Sequence, residues 1–181
     1  MLKQNPRLAV HVAGCPDGLF QQFPDGLIRD LIEQKKITWQ TKFFEVFPEL
    51  KDAANGAYRD ITLEDLFLGK AGIKSYTDMD TEPFPEYGPS IGDKRLEFIK
   101  HLIAQPPSSK KKDGRFQHFY SNAGYTMASA MLERVSGDTY EKLVKKTLTD
   151  GLGMSVHIGW PNSIGPDQPW GHLVTKKIRI N

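Results

Sequence analysis

Residues 119–137 read Phe-Tyr-Ser-Asn-Ala-Gly-Tyr-Thr-Met-Ala-Ser-Ala-Met-Leu-Glu-Arg-Val-Ser-Gly and hold the strongest helical pattern in the chain. Apolar side chains recur there at the spacing of one helix face, at Met127, Ala128, Met131, Leu132 and Val135. Ser136-Gly137 comes next, and glycine commonly follows the last turn of a helix. The stretch therefore predicts a helix that opens with Tyr-Ser-Asn and ends at Gly137.

Helices are predicted on both sides of this segment. Upstream, a helix begins near Phe23, with Pro24 in its first turn and apolar residues at Leu27, Ile28, Leu31 and Ile32. Thr62 and Asp65 form a capping box that opens a short helix through Leu68. A further helix follows Asp93, carries Leu96, Ile99, Leu102 and Ile103, and is stopped by Pro106-Pro107. Downstream, Asp138 and Glu141 form a capping pair for a helix with Tyr140, Leu143, Val144 and Leu148 on its apolar face, closed by Gly151 and Gly153.

The rest of the chain predicts little sheet. Residues 7–13 and 173–180 are candidate strands. Residues 74–92 predict a long ordered loop, and residues 108–114, with three consecutive lysines, predict a mobile and solvated turn. The expected architecture is one domain over residues 1–181 that is predominantly helical.

Composition excludes several classes of protein. The 181 residues are 39% hydrophobic, which argues against disorder, and the net charge of +2 makes neither nucleic acid nor an anionic membrane an expected partner. No apolar run reaches the roughly 18–20 residues of a membrane helix. No apolar segment follows the first seven residues, so we expect no signal peptide and a cytoplasmic chain as written.

Metal and cofactor sites are not expected either. Cys15 is the only cysteine, which rules out an intramolecular disulfide and a multi-cysteine zinc site. The five histidines are His11, His101, His118, His157 and His172, and none has metal-ligand spacing. His118 is interpreted as structural, and Trp160 and Trp170 as packing residues.

Several motifs, in order, resemble the β-lactamase-related serine hydrolases, the group of class C β-lactamases, D-alanyl-D-alanine carboxypeptidases and related esterases. The motifs are Tyr120-Ser121-Asn122, Glu133 to Tyr140, Leu152-Gly153-Met154, Ile61 to Ile73, Lys36-Ile37 to Leu50, and Pro169-Trp170-Gly171-His172. Within Ile61 to Ile73, Gly69 stands where the family pattern has histidine, and Ala71 where it has serine. The resemblance covers about residues 27–172.

The resemblance implies an α+β fold of the β-lactamase/transpeptidase type, of which this chain supplies mainly the helical subdomain. It also implies acyl transfer, in which a serine attacks an amide, lactam or ester carbonyl and forms an acyl-enzyme. By position, Tyr120 would be the acid/base and Asn122 the orienting amide. The family further suggests a small-molecule or peptide substrate and a periplasmic or cell-envelope location.

The nucleophile of the family pattern is not recognisable. Ser-x-x-Lys is expected near residues 14–21, which contain neither serine nor lysine. Cys15, the only thiol there, has no lysine at the required spacing and is interpreted as an ordinary cysteine. Ser108 with Lys111 and Ser109 with Lys112 match the motif literally, but they fall in the lysine-rich turn and are interpreted as coincidental. The family's late Lys-Thr-Gly strand is likewise not found before Asn181.

These departures predict weak or absent hydrolase activity and leave two alternatives open. One is a non-catalytic domain that binds peptidoglycan-like peptides or acts as a scaffold. The other is a gene fragment without independent function. Tyr120 also has a plain structural interpretation, a core tyrosine whose hydroxyl is buried. Its exposure therefore discriminates between the interpretations. The sequence does not determine the oligomeric state.

Overall fold

The helices of the described chain surround the one predicted from residues 119–137. The computed structural model describes residues 9–12, 24–77, 91–158, 165, 167, 171–173 and 176–178. The helices are α1 (Pro24–Glu33), α2 (Phe43–Val46), α3 (Leu63–Phe67), α4 (Ile91–Ala104), α5 (Asn122–Ser136) and α6 (Tyr140–Lys145). The strands are β1 (Ala9–Val12), β2 (Lys111–Lys112), β3 (Arg115–Phe116), β4 (Ser155–Ile158), β5 (Gly171–Leu173) and β6 (Lys176–Ile178). Short 3-10 turns cover Pro48–Leu50 and Gly56–Tyr58, and a π-helical segment, Lys146–Gly151, follows α6.

Helix α5 lies at the centre and contacts α1, α2, α3, α4 and α6. Its apolar positions Met127, Ala128, Met131 and Leu132 are all buried in one hydrophobic cluster that extends from Ile28 to Leu148. Ser121 caps the start of the helix. Gly137, with φ of +80°, ends it by donating its N–H to the Glu133 carbonyl. The sequence prediction for this helix is confirmed, because both its apolar face and its end signals are local.

The capping box before α3 is also confirmed. The Thr62 hydroxyl accepts the Asp65 N–H, and the Asp65 carboxylate accepts the Thr62 N–H. The predicted capping pair before α6 is wrong. Thr139, in extended conformation, accepts the Lys142 N–H, whereas the N–H of Asp138 is bound by the Ser136 hydroxyl. The helix therefore begins one residue later than the Asp138 pattern predicts.

The lysine-rich stretch forms a short hairpin around an exposed turn. β2 and β3 pair antiparallel, with Lys112 opposite Arg115. The two residues between them, Asp113 and Gly114, have φ of +52° and +82°, the combination that a two-residue type I′ hairpin requires. Asp-Gly was the sequence signal for this turn. All residues from Lys110 to Arg115 are exposed, as predicted.

The remaining strands also differ in part from expectation. β1 falls within the predicted strand at residues 7–13 and pairs parallel with β4, which the sequence analysis did not predict. The predicted single strand at 173–180 is two short antiparallel strands, β5 and β6, with His172 opposite Lys177. The extended segment divides because it pairs with itself instead of with a distant strand.

Some predictions fall at the limits of the described residues. Helix α4 begins at Ile91, ahead of Asp93, and ends before the two prolines as expected. Residues 74–77 are irregular, consistent with the predicted loop, of which residues 78–90 lie outside the described part. Cys15, Phe23, Trp160 and Trp170 also lie outside it. None of the helices described is long and apolar enough to cross a bilayer.

Candidate active site

The phenol of Tyr120 lies at the protein surface, immediately before helix α5. The residue is 39% exposed, and its ring contacts the ring of Tyr125, with 6.4 Å between centroids. A helix N-terminus concentrates unpaired N–H dipoles and stabilises negative charge nearby. The structure therefore places Tyr120 at the surface, not in the core as the plain structural interpretation requires.

Asn122, the other predicted site residue, is buried. It begins α5 with only 7% of its surface exposed. Its side-chain N–H donates to the Tyr76 carbonyl over 3.0 Å, and its backbone N–H donates to the Ser75 carbonyl over 2.8 Å. Its Oδ1 is out of contact with solvent and has no hydrogen-bond partner among the described residues. The amide is thus fixed by the chain itself, with one acceptor unused.

Ser121 lies between Tyr120 and Asn122 and, like Asn122, connects helix α5 to residues 74–76. Its hydroxyl donates to the Lys74 carbonyl over 2.7 Å and accepts the Gly124 N–H over 2.9 Å. The segment 74–76 is thereby attached along the start of α5. Tyr76 has φ of +50°, uncommon for a non-glycine residue, and its buried ring meets the Phe98 ring edge-on at 4.8 Å.

Gly69 lies on the other side of the site. Its carbonyl accepts the Phe119 N–H over 2.7 Å. Its φ is +62°, and a Cβ built there would come within 3.0 Å of the Phe119 oxygen and 3.4 Å of the exposed His118 ring. A side chain at this position, such as the family's histidine, does not fit this backbone. Ala71, in place of the family's serine, is buried in the core.

The two literal Ser-x-x-Lys matches do not form a nucleophile site. Ser108 and Ser109 precede β2, and Lys111 and Lys112 form it, so serine and lysine do not share a helix face. The Ser109 hydroxyl donates to the Gln117 carbonyl, and the Lys111 ammonium lies over the Phe116 ring at 4.8 Å. Residues 14–21 lie outside the described part. Within it, no three His, Cys, Asp or Glu side chains form a possible metal site.

A charged cluster at the far end of α5 is structural. Arg95 of α4 pairs with Glu133 at 2.5 Å and also with Glu141, and Glu133 accepts the Tyr140 N–H. Burial raises the pKa of Glu133 despite the neighbouring arginine, and burial raises the pKa of Tyr140 to about 12. The cluster joins α4, α5 and α6. Glu133 comes thirteen positions after Tyr120 in the chain, and α5 rises roughly 17 Å from Asn122 to Glu133.

Sequence reasoning found Tyr120 and Asn122 through the resemblance, but it missed the residues that hold them. Tyr76 and Lys74 carry no sequence signal, because they act through main-chain carbonyls. Gly69 was noted only as a departure from the family pattern. Its positive φ and its close approach to residue 119 give that departure a physical reason.

A family model and several solved structures match this chain. The family model described as Beta-lactamase matches residues 26–176. FmtA from Staphylococcus aureus is 20% identical with a TM-score of 0.55, covering 80% of this chain and 36% of that one. A D-stereospecific amidohydrolase from Streptomyces sp. is 20% identical with a TM-score of 0.56, and the match covers 74% of this chain and 40% of that one. A penicillin-binding protein homolog from Caulobacter crescentus is 21% identical with a TM-score of 0.54, and the match covers 74% of this chain and 33% of that one.

These similarities show a common fold, of the β-lactamase/transpeptidase type. The chain spans 33–40% of the length of those three structures. No curated protein sequence shows a significant match.

Proposed function

The chain belongs to the beta-lactamase family of serine hydrolases, and from this premise we propose that it carries the acid/base part of an acyl-transfer site. In this proposal Tyr120 is the acid/base and Asn122 the orienting amide for an amide, lactam or ester carbonyl. No Ser-x-x-Lys nucleophile is recognisable, so hydrolysis is weak or absent.

The exposure of Tyr120 is the observation that carries the proposal. A group that transfers a proton must come within hydrogen-bond reach of the substrate, and the 39% exposure of Tyr120 before a helix N-terminus supports such access. The residue also lies inside the range that the family model matches. A tyrosine in the core would not meet the first condition.

Weak activity is expected because neither stretch that could supply a nucleophile has a serine and a lysine on one helix face. The segment in which the family pattern places Ser-x-x-Lys, residues 14–21, precedes the matched range of 26–176. The alternatives at Ser108 and Ser109 are on an exposed hairpin without a helical lysine partner. Without an attacking group, a phenol can only assist the slower attack of water on a reactive carbonyl.

The proposal is tested with a fluorescent penicillin and with p-nitrophenyl acetate. We expect no stoichiometric labelling of a serine, and at most slow ester hydrolysis that falls in Tyr120→Phe. Tyr125→Phe is the matched control, because it removes a hydroxyl from the neighbouring ring, where that hydroxyl donates to the Phe67 carbonyl of helix α3 over 3.4 Å. Stoichiometric serine labelling would show that a nucleophile is present after all. Equal hydrolysis by Tyr120→Phe and the unchanged protein would reject the acid/base role.

A non-catalytic binding domain is the second candidate, and the state of Asn122 favours it. One of its two side-chain N–H groups donates to the Tyr76 carbonyl and its Oδ1 is out of contact with solvent, so the carboxamide is held by the chain rather than presented to a substrate. A fluorescent peptide ending in D-alanyl-D-alanine tests this function by anisotropy. Saturable binding without turnover supports it, and no binding at millimolar peptide excludes it.

We also propose that residues 1–181 form one domain, mainly the helical subdomain of the family fold. The support is the hydrophobic cluster, which joins residues from α1 through the π-helical segment without a break. Urea unfolding followed by circular dichroism and by tryptophan fluorescence should give coincident single transitions. Two separate transitions would contradict this organisation.

A further inference from the structure

The approach of segment 74–76 to the start of α5 depends on three hydrogen bonds in a row. The carbonyls of Lys74, Ser75 and Tyr76 accept, in order, the Ser121 hydroxyl at 2.7 Å, the Asn122 backbone N–H at 2.8 Å and the Asn122 side-chain N–H at 3.0 Å. Two of the three come from Asn122 itself. The first comes from a residue to which the family pattern assigns no role here.

We propose that Ser121 is a positioning residue for the site, and this proposal rests on the proposed acid/base role of Tyr120. The Ser121 hydroxyl joins the helix cap to segment 74–76 and also binds within the helix, to the Gly124 N–H, and among the described residues no other side chain makes both bonds. It is 4% exposed, so water does not replace it when it is removed. An alanine there leaves the Lys74 carbonyl and the Gly124 N–H without that partner.

The backbone of Tyr120 is held from both sides as a result. Before it, the Phe119 N–H is bound by the Gly69 carbonyl at 2.7 Å. After it, the Ser121 hydroxyl is bound to Lys74. Tyr120 lies between these two attachments, and its ring contacts the ring of Tyr125. A shift of the main chain at either attachment would move the phenol relative to Asn122, and displacement of a reacting group by about 1 Å can cost about 100-fold in rate.

The conformation of Tyr76 shows that segment 74–76 is held in place by its neighbours. Tyr76 adopts φ of +50°, and its ring packs edge-on against Phe98 of α4. An uncommon backbone conformation persists only where its surroundings determine it. Loss of the Ser121 bond frees the start of this segment, and we expect the change to reach the Asn122 side chain through the Tyr76 carbonyl.

The experiment compares Ser121→Ala with Ser129→Ala in the full chain. Ser129 is a matched control, since it lies on the same helix, is 1% exposed, and donates to the Tyr125 carbonyl at 2.6 Å. Both variants lower the urea midpoint. Only Ser121→Ala is expected to speed hydrogen exchange of the Asn122 side-chain N–H, by about tenfold, and to shift the NMR signals of the Tyr120 ring. Ser121→Thr keeps the hydroxyl and should restore both signals.

Kinetics supply the second readout where p-nitrophenyl acetate is hydrolysed. Ser121→Ala should lower kcat by about 10–100-fold with KM within about twofold, and Ser129→Ala should leave both unchanged. The positioning role is refuted if Ser121→Ala and Ser129→Ala show the same exchange rate for the Asn122 side-chain N–H and the same NMR signals for the Tyr120 ring. Since NMR needs no turnover, the two proposals fail separately: equal ester hydrolysis by Tyr120→Phe and the unchanged protein, together with the expected NMR changes in Ser121→Ala, rejects the acid/base role while preserving the positioning role.

Discussion

Replacing Gly69 with alanine tests the packing beside the candidate site most directly. The residue has φ of +62°, and a Cβ there would lie 3.0 Å from the Phe119 carbonyl oxygen. That oxygen belongs to the main chain, so it cannot rotate away as the end of a flexible side chain would. Either Gly69 or the segment before Tyr120 must move to accept the methyl group.

The expected cost has two parts. Left-handed backbone costs a non-glycine residue about 1–2 kcal/mol, and insertion of a methyl group into a packed site costs about 1–3 kcal/mol. Gly137→Ala isolates the first part, because φ there is +80° and a Cβ would meet nothing within 4 Å. We therefore expect Gly69→Ala to lose at least about 1 kcal/mol more of the free energy of unfolding than Gly137→Ala.

Urea denaturation of the two variants, fitted with a common m-value, measures this difference. A second measurement follows the Tyr120 ring by NMR, and its signals should shift in Gly69→Ala but not in Gly137→Ala. Equal losses of stability in the two variants would refute the reasoning, because they would show that the approach of residue 119 to Gly69 contributes nothing.

Three further predictions concern the core. Arg95→Ala removes the arginine that pairs with two largely buried carboxylates, and it should lower the free energy of unfolding by about 3 kcal/mol. Lys100→Ala, in an exposed ion pair on the same helix, should lower it by less than about 0.5 kcal/mol. Similar urea midpoints for the two variants would contradict this prediction. Burial raises the pKa of Tyr58 and Tyr140 from 10.0 to about 12, so the folded protein keeps protons that the unfolded chain releases, and stability should fall as pH rises from 10 to 12. Replacing both tyrosines with phenylalanine should flatten that decline in a pH series of urea unfolding curves. Thr62→Ala removes the cap of α3 and should cost about 1–2 kcal/mol by the same method, whereas Thr62→Ser should cost little.

The sequence alone predicted α5 because its signals all lie within a few residues of one another. The apolar face, the capping serine and the terminal glycine are set by the geometry of single helical turns. The cap of α3 and the stop before Pro106 were predictable for the same reason. The capping residue of α6 was not predictable in this way, since Asp138 and Thr139 are both residue types that cap helices. In the structure the Asp138 N–H donates to the Ser136 hydroxyl, and Thr139 is the cap.

The candidate site was predicted only in part. The resemblance identified Tyr120 and Asn122, but neither motif nor periodicity indicates that one phenol is exposed while the adjacent amide is sealed. That difference arises because segment 74–76 and Gly69 pack against the start of α5, from which they are separated by about 45–50 residues in sequence. The contacts are made by main-chain carbonyls, and because every residue type has one, the sequence does not reveal them.

The amino-acid order by itself determined the family, the helices and the ends at which they stop, because those depend on side chains that are near neighbours in the chain. Tertiary structure alone decided the pairing of β1 with β4 and the hydrogen bonds that hold Asn122. Contacts between distant residues depend on how the whole core packs, and no local pattern encodes that packing.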